Sequence, residues 1–423
     1  MFFYLRNLYK GVSDKKIAIG FLLCCILYFL INALYLVKYG ARYTSYYPII
    51  VLIYAIFLIG FIFFKHKNKS SVKQVVILLT VNAIAIIILQ MHIDPYSIKV
   101  DRWSAIHNFL TYLLAGEYPY AAQTHLGGYG SPFPVWQLFH LPFYLLGNVG
   151  LSIIVAVIIF AYSVWLLNPT ITTKVLCLLF MAPAFWYEAS VRSDLLANFL
   201  ICCSVINFIW FKHVPFEKSW AIIGLLCGLL LSTRLSTIIP LSIFLFQPFL
   251  ALPARKKIYF LTIVFLAFAT TFLPFIFWDS EMLFFFKYNP FILQTRQGNI
   301  LDFLIFLPIG IYWSMKWWHY KQYMEYSAYI LGILVVVTFL HNMWIRGEWS
   351  EFFDLYDITY FRFLSVRLNR LKNKLLANYL RNRGNDLATV RNSAFCVAIL
   401  SNNSFICKYN IFFRKYELSV AIL

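Results

Sequence analysis

The chain has 423 residues, of which 61% are hydrophobic, 20% aromatic and only 13% charged, and its formal net charge is +19. Soluble globular domains carry about 25% charged residues, so this composition excludes an ordinary soluble protein and predicts an integral membrane protein. Because lysine and arginine stand beside apolar segments, as the charge bias of membrane proteins requires, the positive charge does not indicate a nucleic-acid partner.

Apolar segments divide residues 1–345 and predict an all-α, multi-pass membrane domain with about eleven transmembrane helices. They lie near 17–37, 48–64, 75–89, 150–167, 174–187, 195–211, 219–232, 236–251, 258–277, 300–315 and 326–341. Residues 346–423 form an atypical basic C-terminal tail without a convincing span.

Basic residues set the orientation. They are concentrated in segments such as 15–16, 65–73 and 255–257, which the positive-inside rule places in the cytoplasm. The sequence therefore predicts a plasma (inner) membrane protein whose long loop, residues 90–137, faces the extracytoplasmic side.

The loop is polar, and backbone in lipid must satisfy its own hydrogen bonds, so the loop lies at or outside the membrane surface. Apolar residues at helical spacing within it predict an interfacial helix on the outer leaflet. They are Trp103, Ile106, Phe109, Leu110, Leu113 and Leu114.

Asp101 precedes this helix, and two interpretations of it are compatible. Its carboxylate caps the free N–H groups of the first helical turn, or it takes a proton from an acceptor hydroxyl at the water–lipid boundary.

Further polar residues lie near the same predicted face. Glu188, Arg192 and Asp194 occur together in EASVRSDL and either pair with one another or bind substrate. Arg234 has no acidic neighbour in the sequence, so an anion such as a lipid phosphate suits its guanidinium. Arg296 is a weaker example of the same pattern.

The order of these features resembles a known family. An acidic residue in a long outer loop, an interfacial helix, GEYPY at 116–120 and a Tyr/Pro turn are similar to the GT-C superfamily of membrane glycosyltransferases. The loop style is that of the polyprenyl-phosphate-sugar-dependent mannosyltransferases. RSDLL at 192–196 and WSEFFDLYDITYF at 349–361 fit the same resemblance.

The resemblance implies a function and roles for the residues. It implies transfer of one sugar from a polyprenyl-phosphate donor to a lipid-linked or surface glycan acceptor, with Asp101 as catalytic base and outer arginines on the donor phosphate. The expected phosphate ligands are Arg234, Arg192 and Arg296. The expected substrate-binding residues are Arg102, Glu188, Asp194, Tyr118, Tyr120 and Tyr129, although the tyrosines also suit an interfacial aromatic belt.

Two absences bear on the alternatives. The sequence has no G-x-G-x-x-G, P-loop or appended soluble domain, so no nucleotide cofactor is expected. No metal ligand is predicted, and a divalent-metal requirement stays open.

The competing function is a lipid-linked glycan transporter or flippase, or a polysaccharide polymerase. A secondary transporter predicts repeated halves with charges at mid-membrane, which this sequence lacks.

Overall fold

The computed structural model describes residues 14–40, 43–63, 70–98, 100–212, 216–285, 287–295, 300–316, 320 and 323–330. The basic tail predicted for 346–423, most of the predicted span 326–341, and Arg296 lie outside these residues.

The described residues are helical, with short turns and loops between the helices. The helices are α1 Asp14–Gly40, α2 Tyr47–Phe63, α3 Val72–His92, α4 Arg102–Ala115, α5 Pro134–Phe139, α6 Leu141–Leu145, α7 Ser152–Leu167, α8 Thr172–Phe180, α9 Pro183–Ser190, α10 Leu195–Phe211, α11 Phe216–Leu231, α12 Ile238–Ala251, α13 Ala254–Thr270, α14 Leu273–Trp278, α15 Ser280–Phe284, α16 Pro290–Thr295 and α17 Ile300–Lys316. The all-α prediction is confirmed for this part of the chain.

Length limits how many of these helices cross a membrane. Within the described ranges, Val72–His92 and Val149–Leu167 are long and apolar enough, and Pro169–Phe180 with Pro183–Ser190 makes a third if the pair counts as one span. Shorter apolar helices, such as Leu195–Phe211, coincide with other predicted spans. The prediction of apolar helices compatible with a membrane protein is confirmed for the described residues.

Prolines account for two interruptions of the predicted spans. Pro183 begins α9 after a break, and the pair that includes α8 and α9 bends by 66°. Pro274 stands in the first turn of α14, just after α13 ends. Proline has no N–H to continue a preceding helix but suits a first turn, so predicted spans 174–187 and 258–277 are each divided.

Large apolar side chains cover the outward faces of α2 and α3. Those with more than half of their surface exposed include Leu52, Ile53, Ile56, Phe57, Val76, Ile77 and Val81. Soluble monomers rarely expose apolar surface of this extent, so these faces require an apolar environment.

Glycine allows two of the apolar helices to approach closely. A β-carbon added at Gly228 of α11 would lie 2.6 Å from the β-carbon of Ala267 and 2.6 Å from the carbonyl oxygen of Val264, both on α13. Small residues are what permit helix backbones in membranes to pack this tightly, so any larger residue at position 228 separates α11 from α13.

The predicted interfacial helix is present as α4, but most of its apolar face packs into the protein. Trp103, Ile106, Phe109 and Leu110 are buried, and only Leu114 at the far end is exposed by more than half. The ring of Phe109 contacts those of Tyr120 and Phe275. The helix is therefore anchored on the protein core, which gives the residues before it a fixed support.

Candidate functional site

Asp101 stands directly before α4, at the N-cap position. Its side chain makes no capping hydrogen bond, and Oδ2 instead accepts one from the hydroxyl of Thr124 at 2.9 Å. The side chain is half-buried, and Oδ1 has no hydrogen-bond partner among the described residues. The capping interpretation is therefore wrong, and the carboxylate keeps one oxygen available to a ligand.

Thr124 belongs to a tight hairpin closed by an antiparallel bridge between Gln123 and Tyr129. The Thr124 N–H donates to the carbonyl of Gly128 at 2.8 Å. Gly127 at the turn has φ 78°, a left-handed conformation that glycine adopts without steric penalty. The turn at Gly127 and Gly128 therefore holds in place Thr124, the residue that hydrogen-bonds to Asp101.

The hairpin is fastened to the first turn of α4 through Ser104 and His125. His125 Nε2 donates to the carbonyl of Ile98 at 2.9 Å, since a carbonyl can only accept. His125 Nδ1 lies 2.7 Å from Ser104 Oγ, which also donates to the carbonyl of Asp101 at 2.9 Å, and the His125 backbone N–H donates to Ser104 Oγ at 3.2 Å.

Arg102 connects the loop to the second polar segment. Its Nη1 donates to Ser193 Oγ at 2.9 Å and lies 3.6 Å from Oε2 of Glu188, whose side chain is fully buried. Asp101 and Arg102 are adjacent, so one helix N-terminus reaches the hairpin on one side and Glu188 on the other.

Asp194 and Arg234 form a buried ion pair, with side-chain exposures of 1% and 11%. Arg234 Nε and Nη2 donate to Asp194 Oδ2 at 2.9 and 2.6 Å, and the indole Nε1 of Trp136 donates to the same oxygen at 2.7 Å. Burial raises the pKa of Asp194, but the surrounding positive groups, chiefly the Arg234 guanidinium, together outweigh burial and hold that pKa below its ordinary value. Arg234 Nη1 keeps its donors free of every residue that the structure describes.

His140 lies beside this ion pair and is almost fully buried. Its Nδ1 donates to the carbonyl of Trp136 at 2.8 Å, which leaves Nε2 as an acceptor without a partner in the described chain. Burial lowers the pKa of His140 to about 4, and the charges of Asp194 and Arg234 nearby oppose each other. His140 is therefore a neutral acceptor at neutral pH.

Backbone hydrogen bonds join the start of α5 to the turn before Arg234. The N–H groups of Phe133 and Val135 donate to the carbonyls of Thr233 and Ser232, each at 3.1 Å. The side chain of Gln294 bridges both segments: its Nε2 donates to the Ser131 carbonyl at 2.8 Å, and its Oε1 accepts from the Leu235 N–H at 2.7 Å.

Arg192 points away from the rest of this cluster. Its backbone is left-handed, with φ 52°, and its Nη2 donates to the carbonyls of Gln90 and Ile93 at the end of α3. A β-carbon at Gly150 would lie 2.7 Å from Arg192 Cγ. The absence of a side chain at Gly150 therefore leaves room for the Arg192 side chain. Arg192 fixes the end of α3, and these contacts give no support to its predicted role at a donor phosphate.

The three predicted tyrosines have different environments. Tyr120 is 1% exposed and packs against Phe275, so it is a core residue that no sugar reaches. Tyr118 packs edge-on against Trp278, and burial raises its pKa, with Asp279 contributing. Tyr129 is half-buried and lies next to Gly128 in the hairpin.

The structure brings together four of the predicted residues: Asp101 and Arg102 before α4, and Glu188 and Asp194 around the start of α10. Arg234 joins them through Asp194. Thr124, Trp136, His140 and Gln294 are additional polar members that sequence patterns did not single out. The spacing of Trp136 and His140, one helical turn apart after Pro134, is the only local signal for them.

Within the described residues no group of three or more His, Cys, Asp or Glu side chains is placed to hold a metal ion. The chain matches no known protein family, no curated protein and no solved structure, so its function is inferred from the residues themselves.

Proposed function

We propose that the chain is a multi-pass membrane glycosyltransferase of the GT-C type, which moves one sugar from a polyprenyl-phosphate donor to a lipid-linked or surface glycan acceptor. The observation that carries the proposal is the carboxylate of Asp101. It stands at the start of α4 without capping that helix. Its Oδ2 accepts a hydrogen bond from Thr124, and its Oδ1 has no partner among the described residues.

In the proposed reaction Oδ1 of Asp101 accepts the proton of an acceptor hydroxyl while that oxygen attacks the anomeric carbon of the donor. The bond from the anomeric carbon to the phosphate oxygen breaks, and the polyprenyl phosphate leaves with that electron pair. Configuration at the anomeric carbon is inverted by the single displacement.

Arg234 is the proposed stabiliser of the leaving phosphate. Two of its nitrogens are held by Asp194, which orients the guanidinium, and Nη1 is available to an anion. Fixed donors aimed at developing charge are effective because they need no reorganisation during the reaction. Arg102, held by Ser193 and Glu188 and next to Asp101 in the chain, is the second proposed guanidinium of the site.

The proposal includes a membrane and an orientation. The exposed apolar faces of α2 and α3 support burial in lipid, and the charge bias supports a cytoplasmic N-terminus. The loop 90–137, the α9–α10 turn and Arg234 then face the extracytoplasmic side of the plasma (inner) membrane.

Cysteine labelling tests this orientation. Lys73 and Leu126 are both exposed, and they fall on opposite sides in the proposed topology. In intact cells a membrane-impermeant maleimide should label the Leu126→Cys variant and spare Lys73→Cys, which should react once the membrane is permeabilised. The unsubstituted chain sets the background. Labelling of Lys73→Cys alone in intact cells would reverse the orientation.

Donor use tests the reaction. Membrane vesicles from cells that produce the chain, and from cells that lack it, are given radiolabelled polyprenyl-phosphate mannose or polyprenyl-phosphate glucose. We expect label to move from the acid-labile donor into an acid-stable lipid or glycan fraction only in vesicles that contain the chain. Transfer from a nucleotide sugar alone, or none above background, would contradict the proposed reaction.

A further inference from the structure

Thr124 is the only described residue that bonds to the Asp101 side chain, and it is 5% exposed. We infer that Thr124 is a positioning residue, which fixes the orientation of the Asp101 carboxylate so that Oδ1 is presented to the acceptor hydroxyl. The inference rests on the proposed function and extends it to a hairpin residue that is remote from Asp101 in the chain.

The direction of the Thr124 hydroxyl proton follows from its two partners. The N–H of Gly128 donates to Thr124 Oγ1 at 3.0 Å, and an ionised carboxylate can only accept. The hydroxyl therefore accepts from Gly128 and donates to Asp101 Oδ2. Any rotation of the Thr124 hydroxyl away from this position gives up at least one of these two hydrogen bonds.

The hairpin gives this contact its rigidity. Besides the Thr124–Gly128 backbone bond, the Gly127 N–H donates to the Thr124 carbonyl at 3.0 Å. Ser104 and His125 attach the hairpin to α4 immediately beside Thr124. A base held from a rigid second element keeps its geometry better than one held by its own rotamer preference.

Gly128 completes the arrangement by its lack of a side chain. A β-carbon there would lie 2.9 Å from Asp101 Oδ2 and 3.3 Å from Thr124 Oγ1. The first distance is too short for a real contact, so any other residue at position 128 displaces the carboxylate. Position 128 therefore offers a second way to disturb the base without changing either hydrogen-bonding side chain.

The competing explanation is that Thr124 merely holds the hairpin together. Thr124→Val keeps the shape and the β-branch but removes the donor, whereas Thr124→Ser keeps the donor. Leu126→Ala, at the tip of the same hairpin, is the matched control, since the Leu126 side chain is apolar and exposed. Thermal stability and extraction yield of each variant report on the fold.

The test measures transfer from polyprenyl-phosphate mannose with full-length protein in vesicles. We expect Thr124→Val to lower kcat about tenfold or more, the value of a charge-assisted hydrogen bond, with the donor KM little changed. Thr124→Ser should restore most of kcat, and Leu126→Ala should match the parent protein. Gly128→Ala should also lower kcat, which keeps the inference testable if Thr124→Val does not fold.

The decisive comparison repeats Thr124→Val in an Asp101→Asn background. If Thr124 acts through Asp101, the valine causes no further loss of the residual rate there. An equal loss in both backgrounds, or parent-like kcat for both Thr124→Val and Gly128→Ala, would overturn the inference while leaving the glycosyltransferase proposal intact. Parent-like transfer by Asp101→Asn would overturn the inference and the role of Asp101 as base, and no transfer by the parent protein would overturn the glycosyltransferase proposal as well.

Discussion

Replacing Asp101 by asparagine is expected to lower the rate of sugar transfer on the order of a hundredfold or more, the scale of general-base catalysis. Asparagine has nearly the same size, and its carbonyl can still accept the hydrogen bond of Thr124. It cannot take up the proton of the acceptor hydroxyl. Because the native side chain does not cap α4, the substitution removes no helix-stabilising bond.

The matched control is Asp94→Asn. Asp94 is exposed and caps the short turn Pro95–Ser97 by accepting from the Tyr96 N–H at 3.0 Å, a bond that asparagine also makes. Initial rates from vesicles with equal amounts of each protein compare the two substitutions. Near-normal transfer by Asp101→Asn, or an equal loss from Asp94→Asn, would remove Asp101 from the chemistry.

Breaking the Asp194–Arg234 pair is expected to destabilise the protein strongly. Either residue alone would be left as a buried, uncompensated charge, which costs about 3–5 kcal/mol, and loss of Asp194 also leaves the Trp136 indole N–H without its acceptor. Asp194→Ala and Arg234→Ala should each lower the thermal midpoint of detergent-extracted protein. Removing both charges together, as Asp194→Leu with Arg234→Met, should recover much of this loss.

The paired replacement also separates the two roles of Arg234. If the Arg234 guanidinium binds the donor phosphate, the double variant folds but still fails to use polyprenyl-phosphate mannose. Arg234→Lys then shows a several-fold higher donor KM, because lysine lacks the forked donors of arginine. A double variant that folds and keeps the parent donor KM would make Arg234 purely structural.

The sequence predicted the positions of most helices because long apolar runs and the spacing of residues in α4 depend only on local pattern. It did not predict which helices are interrupted, since a proline such as Pro183 either starts a new helix or kinks an old one according to its neighbours. It also did not predict where the apolar face of α4 packs, because lipid and protein core select the same residue types.

The ion pairs show more clearly which features could not be predicted from the sequence. Proximity in EASVRSDL favours mutual pairing of Glu188, Arg192 and Asp194, but the left-handed backbone at Arg192 turns its side chain toward the end of α3. Glu188 pairs instead with Arg102, and Asp194 with Arg234. Partners this far apart in the chain leave no periodic trace in a single sequence, and the same holds for Thr124 and Asp101.

Gln294 has a consequence for how this region is held together. Its one carboxamide bonds to backbone 163 residues away at Ser131 and 59 residues away at Leu235. It therefore adds a side-chain link to the two backbone bonds that already join the start of α5 to the turn before Arg234. Because one side chain serves both segments, its loss leaves a backbone carbonyl on one of them and a backbone N–H on the other without their partners, although the segments stay joined.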